Sequence, residues 1–356
     1  MSERVLVTGA TGFVAGHCIR ELLDHGYAVR GTVRDLTATG TALDELARRG
    51  PLELVEANLE SDRGWHAAVS GCTYVLHVAS PFPAPAHVPD NEDELIRPAV
   101  QGTLRVLRAC ADHGVKRVVL TSSIAAITAG YDRADHTTRT EDDWSLVDSS
   151  PAYQKSKTLA ERAAWDYVRG LPDDRRFELV ALNPGNVLGP LQRPSVRTSV
   201  ESVRVLLARA VPGSPHIGFA NVDVRDLATA HRLAMETPEA AGNRYICAGE
   251  HLWMRDIARI LADEFNPQGF RVPTGSVPHW LLWTLARFNK TMRMALYMAG
   301  RRELVSADKA RRELGWTMRP ARETIIDTAN SLIQHGICAP RRRSAPSVTP
   351  AHANAE

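Results

Sequence analysis

The feature that most limits what this chain can become lies at its start. Val5-Leu6-Val7 runs into Thr8-Gly9-Ala10-Thr11-Gly12, and an amphipathic segment from Phe13 to about His25 follows. Three apolar residues that end at a glycine-studded turn read as a buried parallel strand, and the periodic segment after them as a helix. That order leaves backbone N–H groups and the positive end of a helix dipole directed at one place, where a phosphate can sit. Gly9 permits the turn and Gly12 lets a pyrophosphate approach the backbone. Ala15 stands where a third glycine would make the closest helix–strand contact. A strand–turn–helix whose glycines serve geometry alone would look the same, so the rest of the chain has to decide.

Gly26 reads as the C-cap of that helix, and Tyr27 to Val33 as the second strand. Leu52 to Ala57, Tyr74 to Ala79 and Val115 to Thr121 read as the third, fourth and fifth strands, with a long helix over Leu95 to His113. Strands and helices alternating at this spacing predict an α/β fold, a Rossmann-type doubly wound parallel sheet with right-handed crossovers. Ligands of such sheets bind beyond the carboxyl ends of the strands, which directs attention to the loops after Val7, Val33, Val78 and Leu120. The second strand ends in Val33-Arg34-Asp35. Val33 cannot accept a hydrogen bond from a ribose hydroxyl, whereas the Arg34 guanidinium suits a 2′-phosphate and stacks on adenine. NADP(H) is therefore expected in preference to NAD(H). Asp35 is the opposing feature, and a plain surface arginine is the bland alternative.

The fifth strand closes in Thr121-Ser122-Ser123, and about thirty residues later Tyr153-Gln154-Lys155-Ser156-Lys157 opens a helix running to about Val168. Residues four apart share a helix face, so Tyr153 and Lys157 project together. A phenol is a poor acid near neutrality, and a neighbouring ammonium and a cationic nicotinamide site would lower its pKa. The expected set is Tyr153 as proton donor to a carbonyl oxygen, Lys157 holding the nicotinamide ribose, and a serine hydroxyl bonding the substrate oxygen while hydride reaches carbon. Tyr-x-x-x-Lys arises by chance in many helices; its place after the fifth strand, behind Ser-Ser, is what gives it weight.

In order, the segments TGATGFVAG, GYAVRGTVRD, GCTYVLHVASPF, GVKRVVLTSS, TEDDWS, YQKSKTLAERAAW, NPGNVLGP, VDVRDLA, GNRYICAG and RRELGWTMRPARETI span nearly the whole chain. Together they resemble the extended short-chain dehydrogenases/reductases, in the branch of dihydroflavonol 4-reductases, cinnamoyl-CoA reductases and microbial aldehyde or ketone reductases. The resemblance implies a pyrophosphate loop at Gly9, Gly12, Phe13 and Val14, and a 2′-phosphate contact at Arg34. Val78, Ala79 and Ser80 would line the nicotinamide side, and Pro184, Gly185, Asn186 and Val187 would form the turn at the carboxamide. Ser123, preferred over Ser122, completes the catalytic set with Tyr153 and Lys157. Asn58, with Leu59 beside it, stands where many relatives have an aspartate that reads adenine; its amide oxygen can also accept. Thr128 stands where plant flavonoid reductases carry an asparagine, which argues for a carbonyl substrate broader than dihydroflavonol. The resulting expectation is an NADPH-dependent carbonyl reductase acting on an aldehyde or ketone. An oxidising hydroxysteroid dehydrogenase, a sugar-nucleotide epimerase or a non-catalytic NADP(H)-sensing module are the alternatives.

The expected organisation is a cofactor domain over 1–187, with 219–248 returning to it, a smaller C-terminal substrate lobe over 188–338, and a disordered tail over 339–356. Within the lobe, 200–210 reads as helical, Phe219 to Val224 as a short strand, and Asp226 as the start of the next helix; Asp223 and Asp226 are read as structural. Trp280, Leu281, Leu282, Trp283, Leu285 and Phe288 form an apolar stripe near the basic residues Lys290, Arg293, Arg301 and Arg302. It is read as a lobe helix packed near the substrate mouth in preference to a membrane contact. The formal charge of +2 gives no pull toward nucleic acid or membrane. Five scattered cysteines show neither disulfide nor zinc spacing, so reduced, mostly buried thiols and no metal are expected. With no room for a signal peptide before the first strand and no apolar run of membrane-spanning length, a cytoplasmic protein is expected, as monomer or homodimer, with a small-molecule partner.

Overall fold

The computed structural model describes residues 3–38, 41–81, 91–195, 199–287 and 290–340. The strands are β1 (Arg4–Val7), β2 (Ala28–Val33), β3 (Leu52–Glu56), β4 (Tyr74–His77), β5 (Arg117–Thr121), β6 (Glu178–Pro184), β7 (Asn186–Leu188), β8 (Gly218–Asp223), β9 (Arg244–Cys247) and β10 (His251–Trp253). The helices between and after them are α1 (Phe13–Asp24), α2 (Thr41–Ala47), α3 (Trp65–Val69), α4 (Asp93–Asp112), α5 (Ala152–Arg169) and α6 (Glu201–Leu207). Beyond these come α7 (Val224–Glu236), α8 (Met254–Phe265), α9 (His279–Ala286), α10 (Lys290–Met298), α11 (Asp308–Leu314) and α12 (Ala321–Gln334).

Seven strands form one sheet in the order β3-β2-β1-β4-β5-β6-β9. Every neighbouring pair is parallel. A parallel sheet must be covered on both faces, so its central strands read as apolar runs rather than as alternating ones. Alternation still sorts their side chains. Val5 and Val7 pack on the side of α1, α2 and α7, while Leu6 packs on the side of α3, α4 and α5. α1 meets the sheet through Ala15, Cys18, Ile19, Leu22 and Leu23, a helical stripe. The strand order reverses direction between β1 and β4, and the carboxyl ends of β1, β2, β4, β5 and β6 open on one edge.

A second sheet, β10-β8-β7, has β7 and β8 parallel and β8 and β10 antiparallel. It belongs with α6, α8 and α12, whose buried residues Val203, Leu206, Ile257, Leu261, Ile325 and Leu332 form a separate core. From β8 the chain passes through α7, on the face of the large sheet, to β9 at its edge.

Several elements differ from the sequence expectation. α7 starts at Val224, not at Asp226: the Asp223 carboxylate accepts the Arg225 N–H at 2.8 Å and caps the helix. Asp226 lies inside it and takes the guanidinium of Arg319 at 2.8 Å. The helix expected over 200–210 is only α6, and β4 ends at His77. Trp280 and Trp283, read as packed, are 68% and 49% exposed, although Ala295, Leu296 and Met298 of α10 do pack on the lobe core. Phe288, the loop 82–90 and the tail 341–356 lie outside the described residues. All five cysteines are buried and unpaired, and none of the described helices is long and apolar enough to cross a membrane.

Candidate active site

The β1–α1 turn is built as a cradle. Gly9 has φ 71°, a left-handed conformation open to glycine, and a Cβ there would fall 3.0 Å from the Ala79 Cβ. Gly9 N–H donates to Thr32 Oγ1 at 2.9 Å, Ala10 N–H to Thr32 O at 2.8 Å, and Gly12 N–H back to Gly9 O at 2.7 Å. Gly12 is the N-cap residue of α1 and offers no side chain, so no capping group occupies the N-terminal amides of Phe13 and Val14. An uncapped twelve-residue helix beside a bare glycine turn fits a pyrophosphate. Arg34 is exposed at the end of β2, with no ion-pair partner among the described residues. Asp35, the opposing feature, is turned away: its carboxylate accepts both the N–H and the hydroxyl of Thr37, at 2.8 and 2.6 Å, which holds its pKa down. At the end of β3, Asn58 Oδ1 accepts from Glu60 N at 3.1 Å, and the Leu59 carbonyl accepts from Arg105 Nη1 at 2.7 Å.

The next loop along the edge is tied to the first. Thr8 Oγ1 accepts from Ala79 N at 2.9 Å and meets His77 Nδ1 at 3.0 Å. Burial, with the Lys157 charge nearby, pushes His77 down to about 3, so the ring is neutral and serves as a fixed hydrogen-bonding strut. Val78, Ala79 and Ser80 follow, all partly exposed toward the edge. From α5, Lys157 Nζ donates to Ser80 Oγ at 3.1 Å. Tyr153, one turn earlier, has its hydroxyl hydrogen-bonded to that of Ser123. Ser123 is the N-cap of the short turn after β5, and its Oγ also accepts from Ala125 N at 3.1 Å. Ser122 points the other way, donating to the buried carboxylate of Glu161. The two serines are thus distinguished by strand alternation, and Ser123 is the one that meets Tyr153.

Electrostatically, the protein's own groups do not lower the phenol, for which the expectation also counted a cationic nicotinamide. The Tyr153 phenol is not lowered: burial raises it to about 12, opposed by the Ser123 hydrogen bond and aided by the nearby Glu303 carboxylate. The Lys157 ammonium, one turn along α5, donates to Ser80. Burial lowers Lys157 to about 8, while the Glu161 charge holds it up.

The turn between β6 and β7 closes the edge. Pro184 is buried, and Gly185 N–H donates to Cys247 O at 3.1 Å. A Cβ on Gly185 would lie 2.1 Å from the Ala220 carbonyl, so strand β8 can lie on this turn only over a glycine. Asn186 Nδ2 donates to Asn221 Oδ1 at 2.9 Å, and Val187 is half-buried beside it. Thr128 is turned back, donating to Ile124 O at 3.0 Å. Thr8, Thr32, His77, Glu161 and Glu303 were not singled out in the sequence. For Thr8 and Thr32 the signal was their place in and opposite the glycine turn; nothing local marks the others.

The family model of the NAD dependent epimerase/dehydratase family matches residues 5–248. The chain belongs to that family. It is 33% identical to cinnamoyl-CoA reductase 1 of Arabidopsis thaliana over 95% of this chain and 91% of that protein. It is 31% identical to a ketoreductase of Aspergillus niger over 94% of this chain and 98% of that one. Among solved structures, a yeast methylglyoxal/isovaleraldehyde reductase complexed with NADPH superposes with a TM-score of 0.76 at 30% identity, covering 94% of this chain and 99% of that one. The epimerase/dehydratase match and these reductase relatives place the chain in the reductase branch that its motifs resemble.

Proposed function

We propose that this protein reduces an aldehyde or ketone to the alcohol with NADPH, with Tyr153 as proton donor and Ser123 and Lys157 assisting. It is an NADP(H)-dependent oxidoreductase of the epimerase/dehydratase family, in keeping with its reductase relatives and with the NADPH in the yeast structure. The observation that carries the finer reading is the convergence of Ser123, Tyr153 and Lys157 on the edge where β1 and β4 part. The glycine cradle, the uncapped start of α1 and Arg34 are the residues that would hold the dinucleotide, and when bound it supplies the hydride.

The protein's own part is proton transfer and alignment. The Ser123 hydroxyl, fixed by Ala125 N–H, aligns the carbonyl oxygen of the substrate beside the Tyr153 phenol. A phenol near 12 keeps its proton until oxide character develops on that oxygen, and then gives it up. Lys157, anchored to Ser80, holds its charge where a ribose hydroxyl would bond it. Tyr153→Phe is expected to retain NADPH binding, followed by nucleotide fluorescence, and to lose about 10²–10⁴-fold in turnover. Near-normal turnover would overturn the assignment. The wild-type assay is NADPH consumption over aldehydes, ketones, dihydroflavonols, acyl-CoA esters and steroids, with NADH in parallel. Tight NADPH binding without turnover of any of these would favour the sensing module instead.

A further inference from the structure

Residues 301–306 run as a strap between the lobe and the loop that follows Ser123. On the loop side, Arg301 Nη1 donates to Tyr131 O at 2.9 Å, Arg139 N to Leu304 O at 2.8 Å, and Ser306 N to Arg139 O at 3.0 Å. On the lobe side, Glu303 N donates to His251 Nδ1 at 3.2 Å, and Glu303 Oε2 accepts from Ala220 N at 3.0 Å. Ala220 is the residue whose carbonyl lies on Gly185, so the carboxyl is pinned next to the turn between β6 and β7. It is half-buried, and none of the described lysines or arginines pairs with it. No described residue bonds its second oxygen. Its charge is felt at the Tyr153 hydroxyl.

We propose that Glu303 is a specificity-determining residue of this site: its carboxylate disfavours substrates with a carboxylate beside the reacting carbon relative to their neutral esters. The proposal rests on Tyr153 being the proton donor, since that is what places the reacting carbonyl within reach of Glu303. An ionised carboxyl offers only acceptors, and in a half-buried site a second carboxylate close by is repelled far more strongly than in water. No ion pair with a described lysine or arginine offsets that repulsion.

The discrimination depends on pH. Burial raises Glu303 to about 7, opposed by the Ala220 hydrogen bond. The titratable groups tied to it are His251 on β10, whose Nδ1 accepts from the Glu303 N–H, and Tyr153 on α5, which feels its charge; Lys157 lies one turn further along α5, and Arg301 and Arg302 precede Glu303 on the strap, Arg301 being bonded to Tyr131 O. His251 is lowered to about 4 by burial and stays neutral above pH 5.5. Lys157, near 8, stays mostly ammonium up to pH 7.5. Between pH 5.5 and 7.5, a group at about 7 goes from almost wholly neutral to about one-quarter neutral.

The test is kcat/KM for matched pairs, ethyl pyruvate with pyruvate and ethyl benzoylformate with benzoylformate, across that pH range. For the wild type the esters are favoured, and the preference grows about fourfold from pH 5.5 to 7.5. Glu303→Gln raises turnover of the acids relative to the esters about fourfold at pH 7.5, little at pH 5.5, and abolishes the pH dependence of the ratio. An ester-to-acid ratio indifferent to both pH and substitution overturns the proposal, as does turnover of neither ester by the wild type. If Glu303→Gln does not fold, the wild-type ratio decides alone. Tyr153→Phe separates the two levels: normal ester turnover in that variant removes the underlying reading. An inactive Tyr153→Phe beside an unchanged ratio in Glu303→Gln removes only the role of Glu303.

Discussion

Glu161 is the residue through which the stability of the core and the state of the active site are joined, and Glu161→Gln tests that joint. Its side chain is fully buried. It accepts from Arg244 Nε at 2.6 Å, Asn183 Nδ2 at 2.8 Å, Trp165 Nε1 at 3.3 Å and the Ser122 hydroxyl. Arg244 also donates from Nη2 to Glu161 at 3.5 Å and from Nη1 to the carbonyls of Glu141 and Asp143, at 2.6 and 2.7 Å, and stacks on Trp144 at 3.8 Å. Glutamine keeps the shape but removes the charge opposite a buried guanidinium, and puts amide N–H groups where several donors now converge. Breaking one side of such a pair costs about 3–5 kcal/mol, a large part of a typical total of about 5–15 kcal/mol. At roughly 2–4 °C per kcal/mol for domains of moderate size, a fall in Tm on the order of 10 °C is expected by circular dichroism at pH 7.5.

A second readout belongs to the active site. Glu161 is the group that holds the Lys157 ammonium up against burial, so its loss lowers Lys157 below about 8 and moves the basic limb of the rate profile to lower pH. Replacing both partners, Glu161→Leu with Arg244→Met, regains only part of the lost stability: no unpaired charge is left, but Ser122, Trp165 and the Glu141 and Asp143 carbonyls lose their partners. A Tm within 2 °C of wild type for Glu161→Gln, with an unmoved basic limb, would refute this reasoning.

Two further outcomes are expected. Arg34→Ala raises KM for NADPH by about 10–100-fold, the worth of a charge-assisted contact, and leaves NADH nearly unchanged; an equal loss for both would refute the 2′-phosphate contact. His17 and His231 are lowered to about 4 and His77 to about 3, each chiefly by burial. Because the folded values lie below the unfolded one near 6.5, their stabilising effect is complete above pH 6.5 and is lost as pH falls toward 4. By pH 5 each has lost about 2 kcal/mol. Urea melts at pH 7.5 and 5 check this, and equal midpoints would refute it.

The parts of the site that were legible in the sequence are those built from short-range rules. A strand, a glycine turn and a helix N-terminus need only consecutive residues, and Tyr153 and Lys157 need only the period of one helix. The sheet followed for the same reason, since each apolar run and its helix announce themselves locally. The start of α7 was misplaced by two residues because Asp223 and Asp226 are equally good caps in sequence; Asp226 is instead held by Arg319, from far along the chain. Trp280 and Trp283 misled because an apolar stripe marks burial only if something covers it, and at those two positions the lobe leaves them exposed.

The sequence by itself determined the cofactor edge, the Tyr153–Lys157 pair and the doubly wound sheet, since all three follow from local backbone geometry and side-chain period. Only the tertiary structure decided the direction in which Tyr153 is shifted and which groups surround it. Burial, the turn of Lys157 toward Ser80 and the strap that carries Glu303 onto Ala220 all come from segments remote in the chain. A pKa and a pocket wall are set by what is near in space, and packing, rather than adjacency along the chain, brings those neighbours together.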